Sequence, residues 1–343
     1  DALLVTHAPS GLEAEMDTLI LERLSALELK GALDARGNIL ARVAGRSAGP
    51  ATMVAAHKDE LTVMVRKIDS DGRIWVEAMG GCRAWKYGEG PFDILSRRGV
   101  VPGVLCMGST HSSELSGRTH AAVRKLPSWD VVYVDCRMDG ASLKAAGVGV
   151  GDRGVVARSR KTPVYLGEDT VCGYALDDKA AVAATLLLAA ALVEHPPEHD
   201  VILAFTTCEE PGCSGIQYAA RAQEFEDLIA VEIAPMAEEY AVVFDSRPVL
   251  MHKDGVFHYS LSLSHALEAA ALRVGTECQG QVVRSFGSDA GMAMKNGLAA
   301  RAACIAFPTY NTHGYEMAHL GAIENCTHVL TEHLCRPPSG LST

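Results

Sequence analysis

The stretch that decides the fold runs from Gly173 to Gly215. It begins Gly173-Tyr-Ala-Leu-Asp-Asp-Lys179, continues through an apolar helical segment and a β-type run, and ends in Cys208-Glu-Glu-Pro-Gly-Cys213. The pattern predicts a strand–helix–strand unit with the acidic pairs Asp177-Asp178 and Glu209-Glu210 at its ends. A buried carboxylate without a partner loses several kcal/mol of hydration, so a positive group should lie between the pairs. A metal cluster is the simplest such group.

Alternating strands and helices surround this unit and predict an α/β fold. A helix over 179–194 is followed by a strand over 201–207, a helix over 214–225 and a strand over 228–234. Such alternation is typical of a largely parallel sheet sandwiched by helices. We also expect a strand pair within 241–263.

The residue pattern changes from helical periodicity to short β-type runs between about Arg66 and Leu166. Short β-like runs broken by glycine replace the helical pattern there, and they predict a small all-β module. The simplest organisation is therefore one α/β domain, formed by 1–65 plus 166–343, that is interrupted by a β domain at 66–165.

The composition excludes several classes of partner. A formal net charge of -11 and a pI near 5.6 provide no basic face for nucleic acid or an anionic membrane. The longest apolar run, 180–193, has 14 residues, short of the roughly 20 that a membrane-spanning helix needs. No basic segment followed by an apolar one opens the chain. Ten cysteines without a CxxC pair indicate reduced thiols and predict a cytoplasmic protein.

Polar side chains stand at the ends of predicted strands that lie far apart in the sequence. They are His57, Glu209, Glu210, Glu232 and His313. In an open α/β sheet the ligand crevice lies outside the carboxyl ends of the strands, so we expect these groups to converge there. Asp177 joins them if its segment approaches the sheet as a loop that precedes the helix.

Each of these residues also has a simpler interpretation. A lone histidine is more often hydrogen-bonded at the surface or in the core, and Asp177-Asp178 could cap the helix over 179–194. Glu209-Glu210 could lie in a solvated loop. Glu232 is harder to explain in this way, because the run Leu-Ile-Ala-Val-Glu-Ile-Ala around it indicates a strand buried on both faces. Taken together, the set favours a metal site.

The donor set suits two divalent ions that share one carboxylate. Asp177 is the natural bridge. His57 and Glu232 would complete the site of one ion. Glu210 and His313 would complete the site of the other.

Two further acidic residues are predicted to act beside the ligands. Successive residues of an extended segment point to opposite sides, so when Glu210 binds metal, Glu209 stands free as general base for a metal-activated water. The same period of two places Asp59 on the side of His57, where it can accept the second imidazole N–H.

An ordered set of motifs resembles a known family. The motifs are Ala56-His-Lys-Asp-Glu60, Ala175-Leu-Asp-Asp-Lys179, Cys208-Glu-Glu-Pro-Gly212, Val231-Glu-Ile-Ala-Pro235, Gly287-Ser-Asp-Ala290 and Thr312-His-Gly-Tyr-Glu316. Spread over essentially the whole chain, they resemble the M42 family of metallo-aminopeptidases.

The resemblance implies a zinc-exopeptidase-like domain with two divalent ions per subunit, usually zinc or cobalt. It implies Glu209 as the catalytic base and places Asp289 as a substrate-binding residue. It also implies that the inserted domain is PDZ-like and mediates assembly into a homo-oligomer, commonly a dodecamer.

Two departures from the family pattern bear on function. Glu232 stands where the family usually has Asp, although glutamate is also a zinc ligand. Thr312-His-Gly-Tyr-Glu316 replaces the family's more usual His-Ser-Pro-like context. The main hypothesis is an aminopeptidase that removes N-terminal residues from peptides. The alternative is a dimetal amidohydrolase, either a deacylase or a dipeptidase, that acts on a small metabolite. A non-catalytic assembly protein is a third hypothesis, and it predicts loss of a ligand or base that the sequence retains.

Overall fold

The computed structural model describes residues 1–117, 120 and 125–336. The strands are β1 Gly31–Leu33, β2 Ile39–Val43, β3 Thr52–His57, β4 Thr62–Ile68, β5 Arg73–Met79, β6 Gly90–Ser96, β7 Gly99–Cys106, β8 Tyr133–Asp135, β9 Arg153–Val156, β10 Val164–Leu166, β11 Thr170–Tyr174, β12 Val201–Thr206, β13 Asp227–Pro235, β14 Val249–Lys253, β15 Gln279–Val282, β16 Arg301–Tyr310 and β17 Tyr315–His319. The helices are α1 Ala2–Val5, α2 Ala14–Ala26, α3 Ala84–Tyr87, α4 Gly140–Ala145, α5 Leu176–Glu194, α6 Ser214–Ala222, α7 Leu261–Arg273, α8 Asp289–Lys295 and α9 Leu320–Cys335.

The large sheet has a parallel centre and antiparallel flanks. Its order is β1-β2-β12-β3-β13-β16-β17-β11-β10, with β14 beside β16 and β15 beside β14. Strands β12, β3, β13 and β16 run parallel to their neighbours in this group, and nearly all of their residues are buried. Burial on both faces explains why these segments are almost continuously apolar.

Helices cover both faces of this sheet. On one face Leu188 of α5, Leu267 of α7 and Leu330 of α9 pack in a single core with strand residues such as Val54. On the other face Ile216 of α6 packs in a second core, together with residues of α8. The predicted α/β sandwich is therefore confirmed, with the qualification that the sheet is mixed.

A closed six-stranded barrel is inserted between β3 and β10 of the large sheet. Its strands follow the order β4-β5-β8-β7-β6-β9. The interior is filled by fully buried apolar side chains, among them Val65, Val76, Phe92, Ile94 and Leu105. The inserted small β-barrel that the glycine-broken runs indicated is therefore confirmed.

The strand pair expected within 241–263 is wrong. Among the described residues of this segment only Val249–Lys253 forms a strand. The carboxylate of Asp254 then accepts the backbone N–H groups of Val256 and Phe257, each at 2.7 Å, in a tight turn after which the chain forms a single antiparallel bridge, Lys253 with His258, instead of a second strand. Ser260 caps α7 shortly afterwards.

The helices also bear on membrane association. Within the described ranges of the chain, no helix combines the length and the apolar character that crossing a membrane requires.

The ends of the central strands place several candidate site residues at one edge of the large sheet. There β3 ends at His57, Glu232 lies in β13, and the turn after β16 carries His313.

Candidate metal centre

Asp177 lies between two imidazole rings that come from distant parts of the chain. Its Oδ1 is 3.1 Å from His57 Nε2, and its Oδ2 is 3.4 Å from His313 Nε2. Each carboxylate oxygen therefore faces a different histidine. This is the geometry that a bridging carboxylate between two cations would need.

Both histidines present the same nitrogen to this carboxylate. His57 Nδ1 donates to the backbone carbonyl of Asp59 over 3.1 Å, and His313 Nδ1 donates to the carbonyl of Gly81 over 3.3 Å. A carbonyl oxygen only accepts hydrogen bonds, so Nδ1 carries the hydrogen in each ring. Nε2 is left on the side of the carboxylates, where it can bind a cation.

Two groups of possible ligand atoms share Asp177. The first group is His57, Asp177, Asp178 and Glu232, and the second is Asp177, Glu210 and His313. Within each group the ligand atoms lie within 4.8 Å of one another. The structure thus brings together all five residues that the sequence predicted as metal ligands.

The start of α5 gives the two aspartates their positions. Asp177 and Asp178 have non-helical backbone angles within α5, and Ala175 before them is in the left-handed region at φ 61°. The aspartates therefore do not occupy ordinary cap positions. Asp178 Oδ2 accepts the backbone N–H of His57 over 3.1 Å, which joins α5 to the end of β3.

Glu316 hydrogen-bonds to the backbone of two candidate ligands, Asp177 and His313. Its Oε2 accepts the backbone N–H of Asp177 over 3.0 Å, and its Oε1 accepts that of His313 over 2.9 Å. The side chain is 1% exposed, and burial, together with the charge of Asp177, raises its pKa to about 8. One buried carboxyl group therefore sets the distance between the bridging aspartate and the turn that carries His313.

Glu209 and Glu210 point to different parts of the site, as the sequence predicted. Glu210 belongs to the group of His313, whereas Glu209 Oε2 lies 3.8 Å from His57 Nε2. Glu209 Oε1 accepts a hydrogen bond from the thiol of Cys213 over 3.0 Å. Burial and the charge of Asp289 raise the pKa of Glu209 to about 8.

Asp59 and Asp289 both lie near Glu209. Asp59 Oδ1 accepts the backbone N–H of Glu209 over 3.0 Å and is 3.5 Å from His57 Nδ1. Asp289 is 2% exposed, accepts the Thr206 hydroxyl over 2.5 Å, and has a carboxylate oxygen within 4.8 Å of Glu209. Burial raises the pKa of Asp289 to about 6. The substrate contact expected for Asp289 stays a prediction.

The charge balance of the site fits divalent cations. Burial raises the pKa of Asp178, Glu210 and Glu232 well above the usual range. Burial alone would lower the pKa of His313, but the charges of Glu210 and Asp177 outweigh it and raise the pKa to about 10. Carboxyl groups buried this deeply beside two imidazoles form a donor set that a divalent cation such as Zn²⁺ accepts.

Two carboxylate oxygens support this fit directly. Asp178 Oδ1 and Glu210 Oε1 are buried, and neither has a hydrogen-bond partner among the residues that the structure describes. One belongs to each group of ligand atoms. A buried oxygen without a donor is costly, and a bound cation would satisfy it.

Two functional residues were missed at the level of the sequence. The sequence predicts at most a capping or supporting role for Asp178, yet its carboxylate lies within the first group. Glu316 stands in the motif Thr312-His-Gly-Tyr-Glu316, but its contact with Asp177 depends on β17 pairing with β11 in register. The signal that could have identified Asp178 is its position at the start of the mostly apolar helix α5, because a buried carboxylate there needs a partner.

The fold and this site define a class of protein. A mixed sheet between helix layers, with buried histidines and carboxylates gathered at the carboxyl ends of its parallel strands, is the construction of a metallopeptidase. The model of the M42 glutamyl aminopeptidase family matches residues 37–329, and the chain belongs to this family. It is therefore a peptide hydrolase of the aminopeptidase type.

Individual relatives agree with this assignment. A putative aminopeptidase of Acetivibrio thermocellus is 26% identical over 344 residues, which cover 95% of this chain and 94% of that protein. A lysyl aminopeptidase of Pyrococcus furiosus is 27% identical over 216 residues, which cover 63% of this chain and 59% of that protein.

Solved structures show the same fold. A TET aminopeptidase from a marine sediment Thaumarchaeota archaeon superposes with a TM-score of 0.89 at 20% identity, covering 98% of this chain and 94% of that one. The TET1 peptidase of Pyrococcus horikoshii gives a TM-score of 0.85 at 22% identity, covering 96% of each chain.

Proposed function

We propose that this protein is a dinuclear metal-dependent aminopeptidase that hydrolyses N-terminal residues from peptides. The observation that carries the proposal is the carboxylate of Asp177, whose two oxygens face the Nε2 atoms of His57 and His313. Asp177 would bridge the ions. His57 and Glu232 would hold one of them, and Glu210 and His313 the other.

The set of ligands for the first ion includes one addition to the sequence-based prediction. Asp178 lies in the same group as His57 and Glu232, and its Oδ1 has no hydrogen-bond partner among the described residues. We therefore include Asp178 as a supporting or direct ligand. Imidazole and carboxylate donors suit zinc, and cobalt is the alternative metal.

Glu209 is the proposed general base. Bound ions would polarise the scissile carbonyl and lower the pKa of a coordinated water. The thiol of Cys213 holds Glu209 Oε1, so Oε2 is the oxygen directed toward the site of the ligands. A carboxylate whose pKa is raised by burial can take a proton near neutral pH and return it to the leaving amine. Asp59 positions this residue by accepting its backbone N–H.

We propose that the substrate approaches the site at the boundary between the two domains. A small cavity of about 20 Å³ lies there beside Asp177 and His313 and is also lined by Tyr87, Val156 and Tyr174. Residues of the barrel and of the α/β domain therefore both face the position that a substrate would occupy. A free peptide amine would be attracted by the acidic surroundings of the ligands.

Assembly into a homo-oligomer is part of the proposal. The TET1 peptidase of Pyrococcus horikoshii, which shares the fold, can assemble into a tetrahedron or a large octahedral shell, and a dodecamer is described for it. We propose that the inserted domain predicted at 66–165, whose barrel strands are β4 to β9, mediates such contacts, because Val100 and Val104 on β7 are exposed at 44% and 45%. Light scattering of the purified protein would measure the mass, and a monomer would refute this part.

A cytoplasmic location is also proposed. All ten cysteines are free thiols in the structure, and four of them are only partly buried. Unpaired thiols with such exposure fit a reducing compartment.

The decisive experiment combines metal analysis with a substrate panel. The purified protein should contain about two divalent ions per subunit and should hydrolyse aminoacyl-anilides and short peptides. N-acyl amino acids in the same panel test the deacylase alternative, and dipeptides test the dipeptidase alternative. Absence of stoichiometric metal, or hydrolysis of N-acyl amino acids alone, would refute the proposed function.

A further inference from the structure

A loop of the barrel lies against the turn that carries His313. The carbonyl of Gly81, which follows β5, accepts the hydrogen of His313 Nδ1 over 3.3 Å. Lys86, in the short helix α3 that follows this loop, donates to the carbonyl of Asn311 over 3.0 Å. The barrel therefore contacts one proposed metal ligand directly and the backbone of the turn beside it.

Gly80 and Gly81 in this loop have no side chain, and His313 and Glu210 of the second group pack in the space that a side chain would fill. A Cβ atom on Gly81 would lie 2.6 Å from Cε1 and 2.8 Å from Nδ1 of His313, closer than the 3.0 Å that real Cβ contacts respect. A Cβ on the neighbouring Gly80 would overlap the carbonyl oxygen of Glu210. Consecutive residues without side chains thus pack on His313 and Glu210.

The barrel holds this loop in place. The indole N–H of Trp129 donates to the carbonyl of Cys82 over 2.9 Å, directly beside Gly81. The ring of Trp129 packs edge-on against Tyr87, with centroids 5.8 Å apart. Contacts within the barrel therefore help to set the position of the Gly81 carbonyl.

We propose that Gly81 is a positioning residue for His313 and that the barrel thereby completes the site of the second ion. The inference rests on the proposed function, since it concerns the ion held by Asp177, Glu210 and His313. The carbonyl orients the imidazole and fixes its tautomer, and the missing side chain lets the ring reach Asp177. Loss of such a partner behind a ligand typically weakens metal binding about 10–100-fold.

The test is zinc titration of Gly81→Ala after the metal has been removed with a chelator. Gly81 does not have a left-handed backbone, so alanine adds only the methyl group that displaces the ring. The variant should retain the first ion and bind the second at least about 10-fold more weakly than the wild type. Gly149→Ala is the matched control, because a Cβ there meets nothing within 4 Å, and its zinc binding should equal that of the wild type.

A second variant tests the same inference with less disturbance of the site. Trp129→Phe keeps an aromatic ring against Tyr87 but removes the N–H that holds the loop. It should therefore lower the affinity for the second ion and leave the affinity for the first ion unchanged. Circular dichroism of each zinc-free variant verifies its fold. If the wild type binds two ions and both variants bind them equally well, the inference is wrong while the proposed function stands. If the wild type binds fewer than two ions, both are wrong.

Discussion

The backbone N–H of Glu209 donates to Asp59 Oδ1 over 3.0 Å. This bond joins the segment of the proposed base to the end of β3, because Asp59 lies two residues after His57. The other oxygen of Asp59 accepts the hydroxyl of Ser10 over 2.6 Å, and the side chain is fully buried. Asp59 therefore orients the base and the histidine together.

Asp59→Asn should reduce kcat/KM by about 10–100-fold. The amide can still accept the N–H of Glu209, but the negative charge 3.5 Å from His57 Nδ1 is lost, and the ring becomes a weaker ligand. Steady-state kinetics at saturating zinc measures the effect. Ser10→Ala is the control, because it removes only the second bond to Asp59, and it should change activity much less. Equal activity of Asp59→Asn and the wild type would remove Asp59 from the mechanism.

Glu209→Gln separates proton transfer from metal binding. Glutamine keeps the shape of the side chain and an oxygen for the Cys213 thiol, but it cannot take a proton. We expect the zinc content to remain unchanged and kcat to fall by about 10²–10⁴-fold. Glu210→Gln should instead lose zinc, because Glu210 lies within the second group of ligand atoms. Turnover of Glu209→Gln close to that of the wild type would assign the base elsewhere.

Cys213 should tune the pH dependence of the reaction. Its thiol donates to Glu209 Oε1 and so favours the ionised carboxylate. Cys213→Ala removes this bond, so the pKa of Glu209 rises and the acidic limb of the kcat/KM profile moves to higher pH. Cys213→Ser keeps a donor and should shift the limb less.

The control for this shift is another buried thiol. Cys326 is fully buried in α9, and Cys326→Ala removes a thiol of the same size without touching Glu209. Its profile should coincide with that of the wild type. A limb that stays in place in Cys213→Ala would show that the thiol has no influence on the base.

The sequence was sufficient for the parallel centre of the sheet and for the residues that meet at its edge. Apolar strands that end in His57, or that contain Glu232, carry a strong local signal, because a charge inside a buried strand needs a partner. Contacts between distant segments carry no such signal. Glu316 reaches Asp177 only through the pairing of β17 with β11, and Gly81 reaches His313 only because the barrel packs on the α/β domain.

A buried ion-pair network beneath the site should govern acid stability. Glu60 is 3% exposed and pairs with Lys161 at 2.6 Å and Lys179 at 3.4 Å, both fully buried, and it also accepts the backbone N–H of Ala8. Glu60→Gln leaves the buried amino groups of Lys161 and Lys179 without their shared carboxylate. The free energy of unfolding should fall by about 3–5 kcal/mol, as is typical when one partner of a buried pair is removed. Urea denaturation near neutral pH measures this loss.

The difference in stability between the wild type and Glu60→Gln should depend on pH with a defined sign. Burial alone would raise the pKa of Glu60, but Lys161 and Lys179 outweigh it and lower the pKa to about 2 in the folded protein. The unfolded value is near 4.5, so the contribution of Glu60 is complete above that pH and declines as the pH falls toward 2. The two denaturation curves should therefore approach each other between about pH 4.5 and about pH 2. Glu77→Gln removes an exposed carboxylate near Arg66 and should change neither the stability nor its pH dependence appreciably. A stability difference that stays constant down to about pH 3 would contradict the assignment of Glu60 as the ionised centre of the network.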